Sequence, residues 1–331
     1  MAMATLDVVG IGNAIVDVIA RADDAFLARE GLAKGSMQLI DAARAEALYA
    51  AMGPAMEMSG GSAGNTMAGI ASLGGKGAYI GKVAADELGE VFAHDIRSIG
   101  VRFETEPLRR GAPTARSLIL VTPDAQRTMN TFLGACVELG SEDIPRELIE
   151  AAQVTYLEGY LFDPPQAKAA FQKAAELAHA AGRKVSLTLS DAFCVGRYRA
   201  EFLALIAGHV DILFANEAEI TALYETKSFD AALASVRGHC EIAALTRSEK
   251  GSVIVTRNEA KAIPAAPVER LVDTTGAGDL YAAGFLFGLT HGRDLATSGR
   301  LGSLAAAEVI SHYGARPEAS LKALAAKAGL L

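Results

Sequence analysis

Residues 273–279, with the sequence Asp-Thr-Thr-Gly-Ala-Gly-Asp, stand directly before an apolar run of helical length at 280–289. Gly276 and Gly278 leave the backbone free of side chains. A helix that begins here points its unpaired N–H groups into the glycine turn, which suits an anion such as phosphate. Asp279 at the helix start is a candidate base that takes a proton from an attacking hydroxyl. The alternative interpretation is that Asp279 only caps the helix and the glycines only form a turn.

A second candidate acid lies near the N-terminus, behind a strand that ends in glycine. Gly10 and Gly12 suggest a dinucleotide fingerprint, but the third glycine of that pattern is replaced by Ile15, so the dinucleotide interpretation fails. Asp17 follows on the next predicted strand, where a carboxylate can accept hydrogen bonds from a pair of sugar hydroxyls. The alternative is a solvated acid on an edge strand.

A glycine pair, Gly60 and Gly61, precedes a helix of small residues that carries Asn65. Paired glycines let a ligand touch the backbone, and Asn65 offers a donor and an acceptor to a polyol. Tight packing of this helix against a sheet is the alternative. The glycine turn after the helix does not fit the P-loop pattern, because Ile70 replaces its first glycine and Gly77 replaces its Ser or Thr.

Two further groups follow predicted strands. Asn216 and Glu219 open a helix, and their oxygens can hold Mg²⁺ directly or through water; ordinary helix capping is the alternative. Thr246, Arg247 and Lys250 lie between two strands, where they either contact a nucleotide phosphate or form a charged hairpin loop.

Arg127 lies in a stretch of different character. Residues 115–121 and 127–132 are two strand-like runs around a turn, and an extended section begins at 101–103 with no helix before residue 132. The pattern predicts a small antiparallel sheet, inserted as a lid over the site. A guanidinium there can clamp a transferring phosphoryl group; a solvated surface charge is the alternative.

The elements that must position these residues alternate between strand and helix from residue 154 onward. This alternation with short loops predicts a doubly wound, mostly parallel sheet, which binds ligands at the carboxyl ends of its strands. The predicted strands are 154–157, 184–189, 211–214, 242–245 and 253–255, and the predicted helices are 164–181, 198–207, 216–224 and 296–310.

Composition narrows the class of protein. The 331 residues are 51% hydrophobic and 21% charged, as in a globular protein. A formal net charge of −8 disfavours a nucleic-acid surface. Cys136, Cys194 and Cys240 are widely spaced and indicate neither a disulfide framework nor a zinc site, so we expect a cytoplasmic protein. We find neither a signal peptide pattern nor a membrane span.

Together these motifs resemble the PfkB-type carbohydrate kinases, the family of ribokinases and adenosine kinases. Residues 273–285 resemble its C-terminal signature, residues 60–65 and 74–81 its N-terminal glycine-rich signature, and 216–219 its N-x-x-E motif. The resemblance covers almost the whole chain. It implies a ribokinase-like α/β fold of one domain, 1–331, with flanking helices and a small antiparallel β lid formed by insertions at about 13–40 and 101–133.

The resemblance also implies a reaction: ATP-dependent phosphorylation of a primary hydroxyl. The placement of Asn13 four residues before Asp17 resembles that in adenosine kinases. Arg127 and Tyr160 also fall where adenosine kinases have a lid arginine and an aromatic residue near the base, and Tyr160 can stack on a purine. The alternative for Tyr160, when the resemblance is left aside, is an aromatic residue of the core at a strand end. We therefore expect adenosine to be converted to AMP. A ribokinase- or fructokinase-type sugar kinase and a non-catalytic sugar- or nucleotide-binding regulator are the alternatives.

The resemblance implies roles residue by residue. The catalytic group is Asp279, the turn Gly276, Ala277 and Gly278, and Arg127. The substrate group is Asn13, Asp17, Gly60, Gly61, Asn65 and Tyr160. The ATP group is Asn216, Thr246, Arg247, Lys250, Gly251 and Gly278. Asn216 and Glu219 organise Mg²⁺, and Asp273 and Thr275 resemble residues near the monovalent-cation site, for potassium, of some members. The expected partners are a small-molecule nucleoside or sugar and ATP, with a monomer or a homodimer left open.

Overall fold

Short strands and helices alternate along the chain. The computed structural model describes residues 3–124, 126–162 and 164–331. Its strands are β1 (Leu6–Ile11), β2 (Ile15–Arg21), β3 (Met37–Leu39), β4 (Ala55–Ser59), β5 (Gly77–Ile80), β6 (Arg102–Phe103), β7 (Ala115–Val121), β8 (Arg127–Phe132), β9 (Ala152–Glu158), β10 (Lys184–Thr188), β11 (Ile212–Asn216), β12 (Ile242–Thr246), β13 (Ser252–Thr256) and β14 (Ala260–Ile263). Its helices are α1 (Asp24–Arg29), α2 (Ala42–Ala51), α3 (Ser62–Ser72), α4 (Glu87–Ser98), α5 (Arg146–Ala151), α6 (Pro165–Ala180), α7 (Ala192–His209), α8 (Glu217–Leu223), α9 (Phe229–Val236), α10 (Ala277–Thr290), α11 (Leu295–Val309) and α12 (Leu321–Lys327). Single turns of 3-10 helix lie at Gly134–Glu138, Ser141–Asp143, Gly159–Phe162 and Ser248–Lys250.

In the described part of the chain, the larger sheet has nine strands in the order β14-β13-β12-β11-β10-β9-β1-β5-β6. Neighbours from β6 to β12 run parallel, and β13 and β14 are added antiparallel at one edge. Helices cover both faces, so the parallel strands are apolar almost throughout rather than alternating. The predicted doubly wound sheet is confirmed.

The two faces of this sheet are two separate cores, because successive residues of a strand point to opposite sides. Val8 of β1 packs with α3, α4, α10, α11 and α12. Its neighbour Val9 packs on the other side, with α5 to α9. Both valines are fully buried. The loops at the carboxyl ends of the strands are thereby fixed between two packed layers.

The second sheet, called the lid sheet below, has the strand order β3-β8-β7-β2-β4. It is mixed rather than antiparallel throughout: β2 pairs parallel with β7 and β3 parallel with β8, whereas β7 and β8 are antiparallel, as are β2 and β4. Strand β4 lies outside the insertions expected at 13–40 and 101–133. The extended section expected at 101–103 belongs instead to the larger sheet, since β6 pairs with β5.

Helices α3 and α10 pack closely because both carry small residues. A Cβ atom added to Gly69 of α3 would lie 2.6 Å from Cβ of Ala283 on α10. On the other side of α10, a Cβ at Gly284 would lie 2.4 Å from the backbone oxygen of Leu301 on α11. Larger residues would push these helices apart. The close packing brings the N-terminal turn of α3 beside that of α10.

Candidate active site

A cleft of about 790 Å³ lies between the carboxyl ends of the parallel strands and the lid sheet. The last residues of β9, β10, β11 and β12 all line it, as expected for a doubly wound sheet. The lining from the larger sheet includes Asn13, Glu158, Thr188, Asn216, Thr246 and the turn Gly276, Ala277, Gly278 and Asp279, and the lining from the lid sheet includes Asp17, Met37, Leu39, Ser117, Met129 and Thr131.

Asp279 lies at the third position of α10, and its carboxylate is held by α3. Ser62 Oγ donates to Oδ1 at 2.6 Å, and Asn65 Nδ2 donates to Oδ2 at 3.0 Å. Burial raises the pKa of Asp279, and the hydrogen bonds from Ser62 and Asn65 and the charge of Arg316 lower it. The carboxyl group is therefore oriented from both sides and is a stronger base than an exposed aspartate.

The turn before α10 depends on Gly276. Its φ of +78° is in the left-handed region, and an added Cβ would lie 2.8 Å from Cβ of Ala315. The helix leaves the N–H groups of Gly278 and Asp279 without an intrahelical partner. The N–H of Ala277 donates to the carbonyl oxygen of Thr274 at 3.3 Å, so two of the three predicted anion-binding N–H groups are free of such a bond. Gly278 faces open space, since an added Cβ would meet no atom within 4 Å.

Asp17 lies on β2 against the glycine pair. A Cβ at Gly60 would lie 2.5 Å from Cγ of Asp17, and a Cβ at Gly61, where φ is +82°, would lie 2.2 Å from the carbonyl oxygen of Asn13. Both positions therefore require glycine. Burial raises the pKa of Asp17 to about 6, against the lowering effects of Arg316 and Arg127.

The structure adds Glu158, the last residue of β9, to the predicted site residues. Its side chain is 1% exposed; it accepts from Asn13 Nδ2 at 3.0 Å and from the backbone N–H of Ala63 at 2.8 Å. Burial raises the pKa of Glu158 to about 7. Glu158 thus fixes Asn13 beside the start of α3. An acid at the end of an apolar strand was the signal available in the sequence.

Arg127 does not line the cleft; it lies beside the other end of the glycine turn. Its Nη1 is 2.7 Å from Oδ2 of Asp273 and donates to Oγ1 of Thr275 at 3.1 Å. Asp273 also accepts from the N–H and hydroxyl of Thr275 and from the N–H of Gly314. The carboxylate predicted to adjoin a monovalent cation is therefore paired with a guanidinium, and Nε of Arg127 is buried without a partner.

Asn216 and Glu219 form the capping box that was the alternative for this motif. Asn216 Oδ1 accepts from the N–H of Glu219 at 2.9 Å, and Glu219 Oε2 accepts from the N–H of Asn216 at 2.9 Å. Burial raises the pKa of Glu219 to about 7. Both side chains line the cleft, so the same two residues cap α8 and lie where a ligand can contact them. An amide oxygen and a carboxylate are the donor types that Mg²⁺ accepts.

The charged residues Arg247 and Lys250 of the β12–β13 loop lie outside the lining of the cleft. Arg247 pairs with Glu217 through Nε and Nη2, at 3.1 and 3.2 Å, and stacks 3.9 Å over the ring of Phe229. Lys250 is exposed, and Gly251, with φ of +82°, shapes the hairpin. Of the residues predicted in this loop, Thr246 lines the cleft; Arg247, Lys250 and Gly251 are outside its lining.

One end of the cleft is apolar. Met37 and Leu39 on β3, Met129 on β8, and Leu133 contribute to it. Tyr160 also lines the cleft, 36% exposed, rather than lying in the core. Met37 and Leu39 are both 52% exposed, which is unusual for large apolar side chains and indicates a surface available to a ligand. No pattern in the sequence predicts that β3 faces this cleft.

Among residues 3–124, 126–162 and 164–331, no cluster of three or more His, Cys, Asp or Glu side chains could hold a metal ion by itself. Within the same residues, no helix is long and apolar enough to cross a membrane.

We compared the chain with protein families and with proteins of known structure. The family model described as pfkB family carbohydrate kinase matches residues 41–322. The chain is similar to the solved adenosine kinase of Sinorhizobium meliloti, at 58% identity over 98% of this chain and 100% of that chain, with a TM-score of 0.91. It is similar to a solved "probable sugar kinase protein" of Rhizobium etli CFN 42, at 55% identity over 99% and 100%, with a TM-score of 0.93. The adenosine kinase of Saccharomyces cerevisiae is 27% identical over 94% of this chain and 96% of that protein.

The doubly wound sheet with its lid and the glycine turn before Asp279, together with these comparisons, indicate a phosphotransferase with an alcohol acceptor. The chain belongs to the pfkB family of carbohydrate kinases, which confirms the resemblance seen in its sequence motifs. Kinases of this family use ATP and typically Mg²⁺, and act on small molecules.

Proposed function

We propose that this protein transfers the γ-phosphoryl group of ATP to the primary 5′-hydroxyl of a nucleoside, with adenosine as the preferred acceptor and AMP as the product. The observation that carries the proposal is the composition of the cleft. The cleft holds Asp17 and Asp279 for hydroxyl groups, and its lid-sheet lining also carries the apolar side chains of Met37, Leu39 and Met129. A free sugar needs only the two carboxylates, whereas a nucleoside also covers the apolar side chains with its base. The likeness to the Sinorhizobium meliloti adenosine kinase supports the proposal.

In the proposed reaction, Asp279 takes the proton of the 5′-hydroxyl as its oxygen attacks the γ-phosphorus and ADP leaves. The free N–H groups of Gly278 and Asp279 stabilise the charge that builds on the transferred group. Asp17 accepts hydrogen bonds from the ribose hydroxyls, helped by the backbone at Gly61 and by Asn65. The pKa of Asp279, raised by burial, brings this base nearer to the pH of the reaction.

Thr246, Asn216 and Glu219 form the proposed nucleotide side of the cleft. Mg²⁺ bound to the ATP phosphates would neutralise their charge, with Asn216 and Glu219 holding its water ligands. Arg247, Lys250 and Gly251 reach the nucleotide only if the β12–β13 loop rearranges, because Arg247 is paired with Glu217.

Arg127 and a monovalent cation are parts of one proposed rearrangement. Arg127 clamps the transferred phosphoryl group only after leaving Asp273, and a cation such as potassium can then replace it beside Asp273 and Thr275. We expect kcat to fall when potassium is replaced by tetramethylammonium at constant ionic strength. An unchanged kcat would argue against the cation.

The whole chain is proposed to act as one domain in the cytoplasm, as a monomer or a homodimer. Support for a reducing compartment comes from Cys136, Cys194 and Cys240, which form no disulfide within the described residues.

A sugar kinase is the second candidate, favoured by the likeness to the Rhizobium etli protein. A phosphate-transfer assay with Mg-ATP against adenosine, inosine, guanosine, ribose and fructose separates the two. We expect kcat/KM to be highest for adenosine. A higher kcat/KM for ribose or fructose would replace the proposal by the sugar kinase. Tight binding without turnover would instead indicate a non-catalytic regulator.

A further inference from the structure

Arg316 is a partly buried cation beside the candidate base, and no motif predicted it. It lies between α11 and α12, where its Nε donates to Oδ1 of Asn65 at 3.2 Å. Its Nη2 atom is inaccessible to solvent and has no hydrogen-bond partner among the residues that the structure describes. Placing a guanidinium here costs desolvation, and burial lowers the pKa of Arg316 accordingly. A cation kept at such a cost needs a compensating interaction nearby.

Three carboxylates supply that compensation. Asp95, Asp17 and Asp279 all raise the pKa of Arg316 through their charges. The effect is reciprocal, because the charge of Arg316 lowers the pKa of both Asp17 and Asp279. The charge of Arg127 also lowers the pKa of Asp17, but Arg127 is itself paired with Asp273. Arg316 is thus a charge that faces both the proposed ribose-binding carboxylate, Asp17, and the proposed base, Asp279.

Arg316 also decides which way the amide of Asn65 points. A guanidinium can only donate and an ionised carboxylate can only accept. Asn65 therefore turns Oδ1 to Arg316 and Nδ2 to Asp279, at 3.2 and 3.0 Å. If Arg316 were removed, Oδ1 of Asn65 would lose its donor and the amide could swing away from Asp279. The base would then lose one of its two side-chain hydrogen bonds.

We propose that Arg316 is a positioning residue for phosphoryl transfer: it holds the Asn65 amide towards Asp279 and places a positive charge that faces Asp17 and Asp279. The inference rests on the proposed role of Asp279 as the base. Arg316 is outside the lining of the cleft, so it acts through these side chains and not by touching the substrate.

Other ionisable groups also face Asp279 and must be accounted for in any pH profile. They share a place around the cleft and interact with its charge: Asp17, Tyr156, Glu158, Tyr160 and Glu219. All of them are present in every variant below, and the titration of ATP is unchanged. Because the charge of Arg316 acts on both Asp17 and Asp279, a shift between variants reports its effect on these two carboxylates.

Three substitutions separate the hydrogen bond from the charge. Arg316→Met removes both, Arg316→Gln keeps a donor for Asn65, and Arg316→Lys keeps the charge. For Arg316→Met we expect kcat to fall about 100-fold, the cost of a misplaced catalytic group, with KM for ATP little changed. The acid limb of the kcat/KM profile for adenosine should move to higher pH, because Asp279 loses a charge that lowers its pKa. Arg316→Gln should move the limb as far with a smaller loss of kcat, and Arg316→Lys should leave it in place.

Arg300→Met on α11 is the matched control, since Arg300 is exposed and outside the cleft lining. It should match the wild type in every measurement. A double-mutant cycle with Asn65→Ala adds a readout that a purely structural role would not move. We expect Arg316→Met to cost little more in the Asn65→Ala background, because its path to Asp279 is already broken.

The proposal fails if the acid limb stays in place in Arg316→Met and Arg316→Gln, or if the two substitutions are additive in the cycle. If Arg316→Met does not fold, as judged by thermal unfolding, the Gln and Lys variants decide by the same criteria. Asp279→Asn distinguishes a failure of the base assignment from a failure of the role proposed for Arg316. A near-normal kcat in Asp279→Asn removes the base itself. An inactive Asp279→Asn beside an Arg316→Met that behaves like Arg300→Met removes only the role of Arg316.

Discussion

The two halves of the cleft are organised differently. In the acceptor half, around Asp279, the polar side chains reach across the chain: Ser62 and Asn65 bond to an acid more than 200 residues away in sequence. In the nucleotide half, Asn216 bonds to Glu219 three residues on, and Arg247 bonds to Glu217 at the start of α8. The acceptor half is therefore preformed by tertiary packing, and the nucleotide half consists of locally satisfied groups that must exchange partners to bind phosphate.

This difference predicts that substitutions in the acceptor half have large effects. Asp279→Asn should lower kcat by about 1,000-fold, within the range for loss of a general base, with little change in nucleoside affinity. Steady-state kinetics with Mg-ATP and adenosine measures both. Asp294→Asn is the matched control, because Asp294 caps the neighbouring helix α11 and asparagine caps equally well. Near-normal kcat in Asp279→Asn would remove the base assignment.

Asp17→Asn tests the hydroxyl-binding wall of the acceptor half. We expect kcat/KM for adenosine to fall by about 100-fold, chiefly through KM, because a buried carboxylate that accepts two hydroxyls is replaced by an amide with one acceptor. Asp124→Asn, in the exposed turn between β7 and β8, should change neither constant. A fall in kcat alone would place Asp17 with the reacting group instead of the ribose.

We expect burial of Glu158 in the acceptor half to make the unfolding free energy depend on pH. Burial raises its pKa from 4.5 to about 7, so between these pH values the folded state binds more protons than the unfolded state. Stability then falls as pH rises through this window. Glu158→Gln should remove a loss on the order of 2–3 kcal/mol from the unfolding free energy between pH 4.5 and 7, measured by urea denaturation.

The comparison is between Glu158→Gln and the wild type at each pH, because Asp17 and Glu219 add the same trend to both proteins. Glu142→Gln, an exposed acid, should follow the wild type. A curve for Glu158→Gln that runs parallel to the wild type would show that Glu158 titrates alike in both states.

Arg247→Met tests the nucleotide half and carries the smallest expected effect. Since Arg247 is paired with Glu217, we expect KM for ATP to change less than about threefold, the range of an exposed ion pair. Glu217→Gln, which breaks the same pair from the other side, should behave alike. A loss of more than tenfold in Arg247→Met alone would mean that Arg247 leaves Glu217 to bind phosphate.

The sequence predicts most of what is locally encoded. The parallel sheet, the turn at Gly276 and the helix start at Asp279 follow from patterns within a dozen residues, and so does the capping box at Asn216. The contacts that complete the site are not local. Asn13 meets Glu158 145 residues later, and Asn65 meets Arg316 251 residues later. The parallel pairing of β1 with β9 brings the first pair together, and the path of the chain after α11 brings Arg316 to Asn65 on α3.

Charged residues were the least predictable part of the site. Arg127 and Arg247 have the right chemistry for phosphate, but each has a carboxylate within reach, Asp273 and Glu217. A sequence gives the charge of a side chain and not its partner. The apolar end of the cleft was missed for a related reason, because β3 is a short strand whose neighbour in the lid sheet, β8, lies about ninety residues further along.

The preformed acceptor half can be tested without catalysis. Calorimetric titration of adenosine and of ribose into the protein, with no ATP or Mg²⁺ present, measures binding to that half alone. The account predicts that adenosine binds with a Kd close to its KM, and that ribose binds roughly tenfold or more weakly because it leaves the apolar end empty. Binding of adenosine only when ATP is present, or ribose binding as tightly as adenosine, would contradict it.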